Sequence, residues 1–540
     1  MSESSPSPWA PLRHRIFLAL WIAALASNVG TWVQSVGEKW LMAQMTPSPL
    51  LMSLIETGTT LPMLMLAMPG GAIADIVDRR RLLLLSQGWM LLAAAAMAAC
   101  SALHLLSPGL LIGMSLMLGI GAALNAPAWG AIIPELLARE EIPAGVALNS
   151  AGFNVSRAVG PALGGLVVGA LGPTWAFVLN ALSFLGVVAV LRAWKRPAPT
   201  TDLPAERFVA AMKVGLRYTR HRRPLQVILL RSGGFVFCGG IVFGLLPSLA
   251  FHQLHLGSAA FGLLFGCIGT GAVLATLVLP HLRARFNPNT LLAVNTSVYA
   301  GALLILGHLH RAPAIALALL VCGFGWLSVL STFNTGVQLS VPSWVKARAL
   351  GVYITVWGGS MAMGAAFWGW VGEHRGLSFA FTTAALGLLA VLALTGRMKV
   401  QALHEDMDLS PARAYPHPPE PIALEEGPIL TVLDYRIPPE AAEAFRQAMR
   451  DVRRIRIRDG AVRWSLFQDR GHDQPGELRF VESFFSSSWG EHLRQHHRAT
   501  VEDRAVLARA YKLDPSGRPR TRHLVGAWEE TGTFIDRILE

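Results

Sequence analysis

The chain has 540 residues, of which 52% are hydrophobic and only 15% charged, where soluble domains carry about 25% charge. Its net charge of +12 is uneven: residues 1–427 hold 27 Lys and Arg against 17 Asp and Glu, and residues 428–540 hold 19 against 17. The basic residues sit in short loops between long apolar segments, which excludes a soluble main body and argues against a nucleic-acid footprint.

A membrane-spanning helix needs about 20 predominantly apolar residues. Twelve segments qualify: 16–37, 50–74, 82–106, 109–133, 147–171, 174–194, 225–250, 258–281, 289–308, 313–336, 348–371 and 376–396. A buried core helix would explain one such segment but not twelve in series. With the N-terminus inside, alternation leaves only Lys39, Arg311 and Arg375 in the outer loops. This positive-inside bias predicts a multi-pass protein of the cytoplasmic membrane with both termini cytoplasmic, its basic loops facing anionic lipid. No signal-peptide cleavage pattern precedes the first span.

The predicted organisation is a six-helix bundle at 16–194, a basic Pro-containing linker at 195–224, a second six-helix bundle at 225–397, and a Pro- and charge-rich linker at 398–427. A shift of 204 residues places Gly119 on Gly323, Gly121 on Gly325, Gly160 on Gly364 and Gly165 on Gly369. Parallel six-helix repeats with a central site at mid-membrane are a recurring transporter plan. Residues 428–530 change character. Pro428–Ile437 alternates as a strand and Pro439–Arg458 has helical period. Ala461–Asp469 and Glu477–Ser486 read as two strands, Trp489–Lys512 as one amphipathic helix and Arg522–Ala527 as a last strand. That order, βαββαβ, predicts a ferredoxin-like α+β domain. The fold class expected is thus an all-α polytopic membrane protein with a soluble α+β tail.

Several residues carry candidate chemistry. Gly71-Ala-Ile-Ala-Asp75-Ile-Val-Asp78-Arg79-Arg80-Arg81 joins the second and third spans. Asp75 at a helix end is placed to pair with Arg79 or Arg80, or with the start of a neighbouring helix, in one conformation and to release that partner in another. The alternative is that the arginines are inside anchors. Arg157 lies near the middle of the fifth span, where a charge costs at least about 2.5 kcal/mol. It is expected to face a cavity, with a substrate carboxylate or Glu56 as partner. Glu56, taken as the only acid well inside a span, is a proton-coupling candidate, a structural ion-pair member or a rim residue. Glu38 and Lys39 read as an interfacial pair at the outer end of the first span, and Arg231 as a snorkelling side chain. Gly160-Pro161-Ala-Leu-Gly164-Gly165 permits close helix contact and a bend, or is ordinary small-residue packing. The four cysteines lie in apolar segments without ligand spacing, and no metal or cofactor is expected. No phosphate-binding Gly-x-x-x-x-Gly-Lys loop occurs, so an ion gradient is the expected drive.

The 71–81 loop resembles the signature loop of the major facilitator superfamily, and the Gly160-Pro161 segment resembles the motif of its exporters. Ile76 and Asp78 depart from the usual basic residue and glycine. Ser27-Asn28, Trp32, Gln34, Asn149, Arg157, Gly325-Trp326, Asn334, Gln338 and Arg348 together resemble the transmembrane secretion effector branch, which includes enterobactin-exporter-like members. The resemblance implies export of a small molecule driven by protons. The cavity residues expected between the two rocking bundles are Asn28, Gln34, Glu56, Arg157 and Asn334, and Gly71, Asp75, Arg79 and Arg80 are expected to form the gating loop. The tail, through Trp489-Gly-Glu-His492-Leu-Arg494-Gln495-His496-His497 and Asp503, resembles the antibiotic-biosynthesis-monooxygenase-like group. Its pocket would use Trp464, Trp489, His492 and His496. Two histidines four apart share a helix face but are a thin basis for a metal. The tail is expected to dimerise or regulate, or to modify the cargo as an enzyme.

Overall fold

The computed structural model describes residues 7, 9–138, 140–194, 208–342, 345–398, 422–471, 476–517 and 519–526. The chain forms two compact units. One comprises residues 1–212, 226–336 and 350–400, and the other residues 213–225, 337–349 and 401–540.

Among the described residues, twelve helical segments are long and apolar enough to cross a membrane. The first six are α1 (Arg15–Met45), α2 (Pro49–Ile76), α3 (Arg79–Ala102), α4 (Pro108–Leu136), α5 (Ile142–Leu171) and α6 (Pro173–Ala193). Helix α7 (Phe208–His221) falls within the expected linker. The seventh span is α8 (Arg223–Gly239) continued by α9 (Ile241–Ser248) and a π turn. Then come α10 (Ser258–Arg285), α11 (Pro288–His308), α12 (Ala312–Leu339), α13 (Lys346–Arg375) and α14 (Leu377–Thr395). Helix starts follow sequence signals. The Ser48, Asp78, Ser107 and Asn287 side chains accept a backbone N–H of the first turn, and proline follows Ser48, Ser107 and Asn287 at the first helical position.

The first span corrects the sequence reading. It continues past Gly37 to Met45, so Glu38 and Lys39 lie inside it, 4% and 2% exposed. Their charge would mark a span end only if both faced lipid or water. They face the bundle interior instead, and Met42, one turn beyond Glu38, is buried as well.

Small residues set the helix contacts. A Cβ on Gly160 would lie 2.6 Å from Trp32 Cβ, and one on Gly164 2.9 Å from Val33 Cα, which seats α5 on α1. On the opposite side, a Cβ on Gly165 would meet the Ser258 carbonyl at 2.6 Å and one on Gly262 the Pro161 carbonyl at 2.5 Å, which seats α5 on α10. The repeat is visible in the same terms: Gly119 of α4 abuts the Thr59 carbonyl of α2, and Gly323 of α12 abuts the Ile268 carbonyl of α10. Only small residues let backbones approach this closely.

The tail contains β1 (Ile429–Ile437), α15 (Ala442–Asp459), β2 (Arg463–Gln468), β3 (Leu478–Ser486), α16 (Trp489–Arg498), α17 (Val501–Tyr511) and β4 (Arg520–Val525). The sheet is antiparallel throughout, in the order β2-β3-β1-β4. The predicted single helix 489–512 is two helices. Thr500 caps the second through a reciprocal box with Asp503 and ends the first. The core gathers Leu433, Tyr435, Phe445, Met449, Val452, Phe480 and Phe484.

Candidate functional site

A cavity of about 790 Å³ lies among the membrane helices, within the range of about 300–1,000 Å³ usual for small-molecule sites. On α1 its lining runs Ser27, Asn28, Thr31, Gln34, Ser35 and Glu38, the three- and four-residue spacing of one helix face. Glu56 and Thr60 come from α2, Asn125 from α4, Asn154 and Arg157 from α5, and Asn180 from α6. The second half supplies Phe243, Phe265, Trp326, Leu327, Leu330, Trp357 and Met361. The charged, amide and hydroxyl lining therefore belongs to the first half, and the second half contributes an apolar, largely aromatic wall.

The buried charges are arranged unequally. Lys39 Nζ lies 3.3 Å from Glu56 Oε2 and 4.4 Å above the centre of the Phe265 ring. Glu38 is held by neutral donors. Gln34 Nε2 donates to its Oε1 at 2.7 Å and Ser115 Oγ to its Oε2 at 3.3 Å, while Asn180 Nδ2 donates to Gln34 Oε1 at 2.6 Å. Arg157 is 8% exposed, and its Nη2 has no hydrogen-bond partner among the described residues. At the end of the bundle holding the α1–α2 turn, Ser48 Oγ and the Leu50 N–H donate to Glu373 Oε2 at 2.7 and 3.3 Å, and Trp40 meets Phe251 edge to face. These contacts join the two halves there.

Four of the five expected cavity residues, Asn28, Gln34, Glu56 and Arg157, line this space. Asn334 does not: it lies one turn beyond Leu330 on α12. Glu56 is engaged by Lys39 rather than Arg157. The sequence reading places Glu38 and Lys39 at the interface and does not single out Ser115 or Asn180. A helical wheel of α1 run past Gly37 would have placed Glu38 on the Asn28–Gln34 face.

In the loop region, the surroundings of Gly71 and the side chain of Asp75 lie outside what the structure describes. Arg79 Nη1 pairs with Glu135 Oε1 at 2.9 Å. Arg80 donates from Nε to the Leu191 carbonyl and from Nη2 to the Arg192 carbonyl, both at 2.8 Å, capping the C-terminal end of α6. Arg231 reaches helix ends: its Nη1 donates to Asn289 Oδ1, at the start of α11, at 3.0 Å and to the Met398 carbonyl, just past α14, at 3.3 Å.

In the tail, one row across the sheet reads Trp464, Phe484, Thr431 and His523 by register. Helix α16 sets Trp489 and His492 over it. The His492 ring stacks on Trp489 with centroids 5.2 Å apart, lies 4.7 Å from His523, and its Nε2 is 3.4 Å from His496 Nε2. Burial, then the neighbouring histidines, push His492 down to about 3. Burial, then Arg456, push His496 down to about 4. Trp464 is tied elsewhere: its indole N–H donates to Glu482, which also accepts from Tyr435 Oη at 2.7 Å and Arg456 Nε at 3.1 Å.

Residues 6–531 match the family described as transmembrane secretion effector. The enterobactin exporter EntS of Citrobacter koseri is 27% identical over 384 residues, covering 70% of this chain and 90% of that protein, and the Salmonella typhi EntS is 27% identical over 385 residues, covering 70% and 91%. The fold is shared with a mutant form of the nucleoside transporter NupG (TM-score 0.57, 12% identity, 71% and 99% of the two chains). A bacterial homolog of the human lysosomal transporter Spinster, inward-facing and occupied, has a TM-score of 0.55 (14% identity, 72% and 98%). The chain is a multi-pass member of the transmembrane secretion effector family of the major facilitator superfamily.

Proposed function

We propose that this protein is a secondary transporter that exports a small molecule, siderophore-like or drug-like, across the cytoplasmic membrane, driven by the proton gradient. The observation that carries this reading is the cavity: a buried guanidinium with an unsatisfied Nη2 on one wall faces an aromatic wall on the other. Such an arginine in a low-dielectric site is stabilised by an anionic ligand, so a planar or aromatic cargo with an acidic group fits. The similarity to EntS supports export, and the positive-inside bias supports cytoplasmic termini. The two bundles would rock about the cavity. Asp75, Arg79 and Arg80 would bias one gate, with the Gly160-Pro161-Ala-Leu-Gly164-Gly165 segment as the close-packed hinge side. We assign residues 428–530 to a ferredoxin-like tail, which the β4-β1-β3-β2 order supports. Its stacked Trp489, His492, His523 and Phe484 rings fill one another's space, which favours a dimerising or regulatory tail over an enzymatic one.

The test is uptake into inverted membrane vesicles energised with a proton gradient, across a panel of siderophores and amphiphilic drugs. Uptake that an uncoupler abolishes and that Arg157→Gln loses is expected. Uptake of an acidic cargo that survives the uncoupler, or that Arg157→Gln leaves intact, would overturn the drive or the binding residue respectively.

A further inference from the structure

Resting on that export reading, we propose that Glu38 is the proton-carrying carboxylate of this transporter, that Ser115 lets it gain or lose a proton without repacking, and that Glu56 remains the fixed counterion of Lys39. Glu38 lines the cavity and is 4% exposed. Among the described residues no basic nitrogen lies within ion-pair distance of it. The charged groups that face it are Lys39, next along α1, and Glu56, across on α2. From α4 and α6 the neighbours are Ser115 and, through Gln34, Asn180, all neutral. A buried carboxylate with no ion-pair partner lacks full compensation for the water it has lost, so its ionised form is the costlier one to hold.

Ser115 makes both protonation states satisfiable. Its hydroxyl has one proton and two acceptors in reach, Glu38 Oε2 at 3.3 Å and the Leu111 carbonyl at 3.0 Å. With Glu38 ionised, Ser115 donates to Oε2. When a proton from cavity water adds to Oε2, Glu38 donates to Ser115 Oγ, and Ser115 turns its own proton to Leu111. Gln34 need not rotate, because Asn180 holds its carbonyl and keeps its amide N–H on Oε1. No heavy atom has to move and neither Glu38 nor Ser115 loses its partners. Only one O–H bond forms or breaks on Glu38. Glu56 has no such arrangement: neutralising it would strand the ammonium of Lys39, whose side chain is 3% exposed.

The experiment is infrared titration of the purified full-length protein in lipid nanodiscs, which follows the carbonyl stretch of a protonated carboxylic acid. It needs no cargo, so it succeeds or fails independently of the vesicle assay. A band that titrates away as pH rises, absent in Glu38→Gln and retained in Glu56→Gln, is expected. Ser115→Ala removes a donor that favours the anion more than the acid, so proton affinity should rise about tenfold, and Ser115→Thr should restore it. No titrating band in the wild type, or a band lost in Glu56→Gln instead, would overturn the assignment. An unchanged midpoint in Ser115→Ala would remove the serine from it.

Discussion

The Lys39–Glu56 pair gives a quantitative test of the cavity. At 3.3 Å the gross attraction is about 5 kcal/mol at an effective dielectric of ~20. Breaking a buried pair by removing one partner costs about 3–5 kcal/mol, whereas replacing both by similar volumes is often neutral. Lys39→Met leaves Glu56, whose side chain is 18% exposed, so water from the cavity recovers part of the loss. We expect the lower end, about 3 kcal/mol. Glu56→Gln leaves the ammonium over the Phe265 ring at 4.4 Å, a contact contributing about 2 kcal/mol where desolvated, so its cost should be similar. The double variant should return to within about 1 kcal/mol of wild type, a coupling energy of several kcal/mol in the cycle. The assay is detergent-titrated unfolding of the full chain in mixed micelles, followed by circular dichroism. Additivity of the two single changes within about 0.5 kcal/mol would refute the pairing and, with it, the argument that Glu56 is pinned.

Glu482→Ala should orphan the Tyr435 hydroxyl, Arg456 and the Trp464 indole together, destabilising the tail by about 3–5 kcal/mol. Hydrogen exchange should then accelerate in β1 and β3 and stay unchanged in α1–α6. His492 is held down to about 3 in the folded tail, so the unfolded chain binds more protons below about pH 6.5. Tail protection should be full above that pH and decline progressively as pH falls toward 3, and His492→Gln should flatten the decline; a steep decline in both proteins would exclude this histidine. Gly165→Leu would drive a side chain into the Ser258 carbonyl, while Gly301 has open space around its Cβ position. The first should lower the melting temperature and the folded yield sharply, and Gly301→Ala should leave both unchanged or raise stability by up to about 1 kcal/mol.

The membrane helices were legible because apolar length is a local property, and the caps at Ser48, Asp78, Ser107 and Asn287 stand in the sequence as written. What was not legible is direction. Glu38 and Lys39 carry the charge of a span end, although α1 runs on to Met45 and turns both inward. Arg231 reads as a snorkelling side chain, and the sequence does not name Asn289, at the start of α11, as the group its guanidinium meets. In each case a charge is judged against bilayer depth, when the deciding partner comes from a helix distant in sequence. The break at Thr500, by contrast, is available locally. Thr500-Val-Glu-Asp503 is a capping box, passed over when the charged run 489–512 is read as one helix.

Asn334, expected from the branch resemblance and not among the cavity lining, marks a difference between the two halves. The glycine repeat is real in packing, since Gly119 and Gly323 seat equivalent helix pairs, and this suggests that both halves would furnish cavity polar groups. They do not. Helices α1 to α6 bring the charged, amide and hydroxyl lining, and the second half brings rings and aliphatic side chains. Packing symmetry constrains only small residues at helix crossings, while the cavity face of each helix is set independently. The consequence is functional. If the halves separate during transport, the polar groups that hold a cargo and a proton move as one body, while the aromatic wall slides past them. Polar recognition is then retained through the cycle, and only apolar contacts, which are non-directional, have to be exchanged. On the proposed export reading, that division would let the cavity change access without breaking directional bonds to the cargo, and a proton-dependent step at Glu38 would lie wholly within the first bundle.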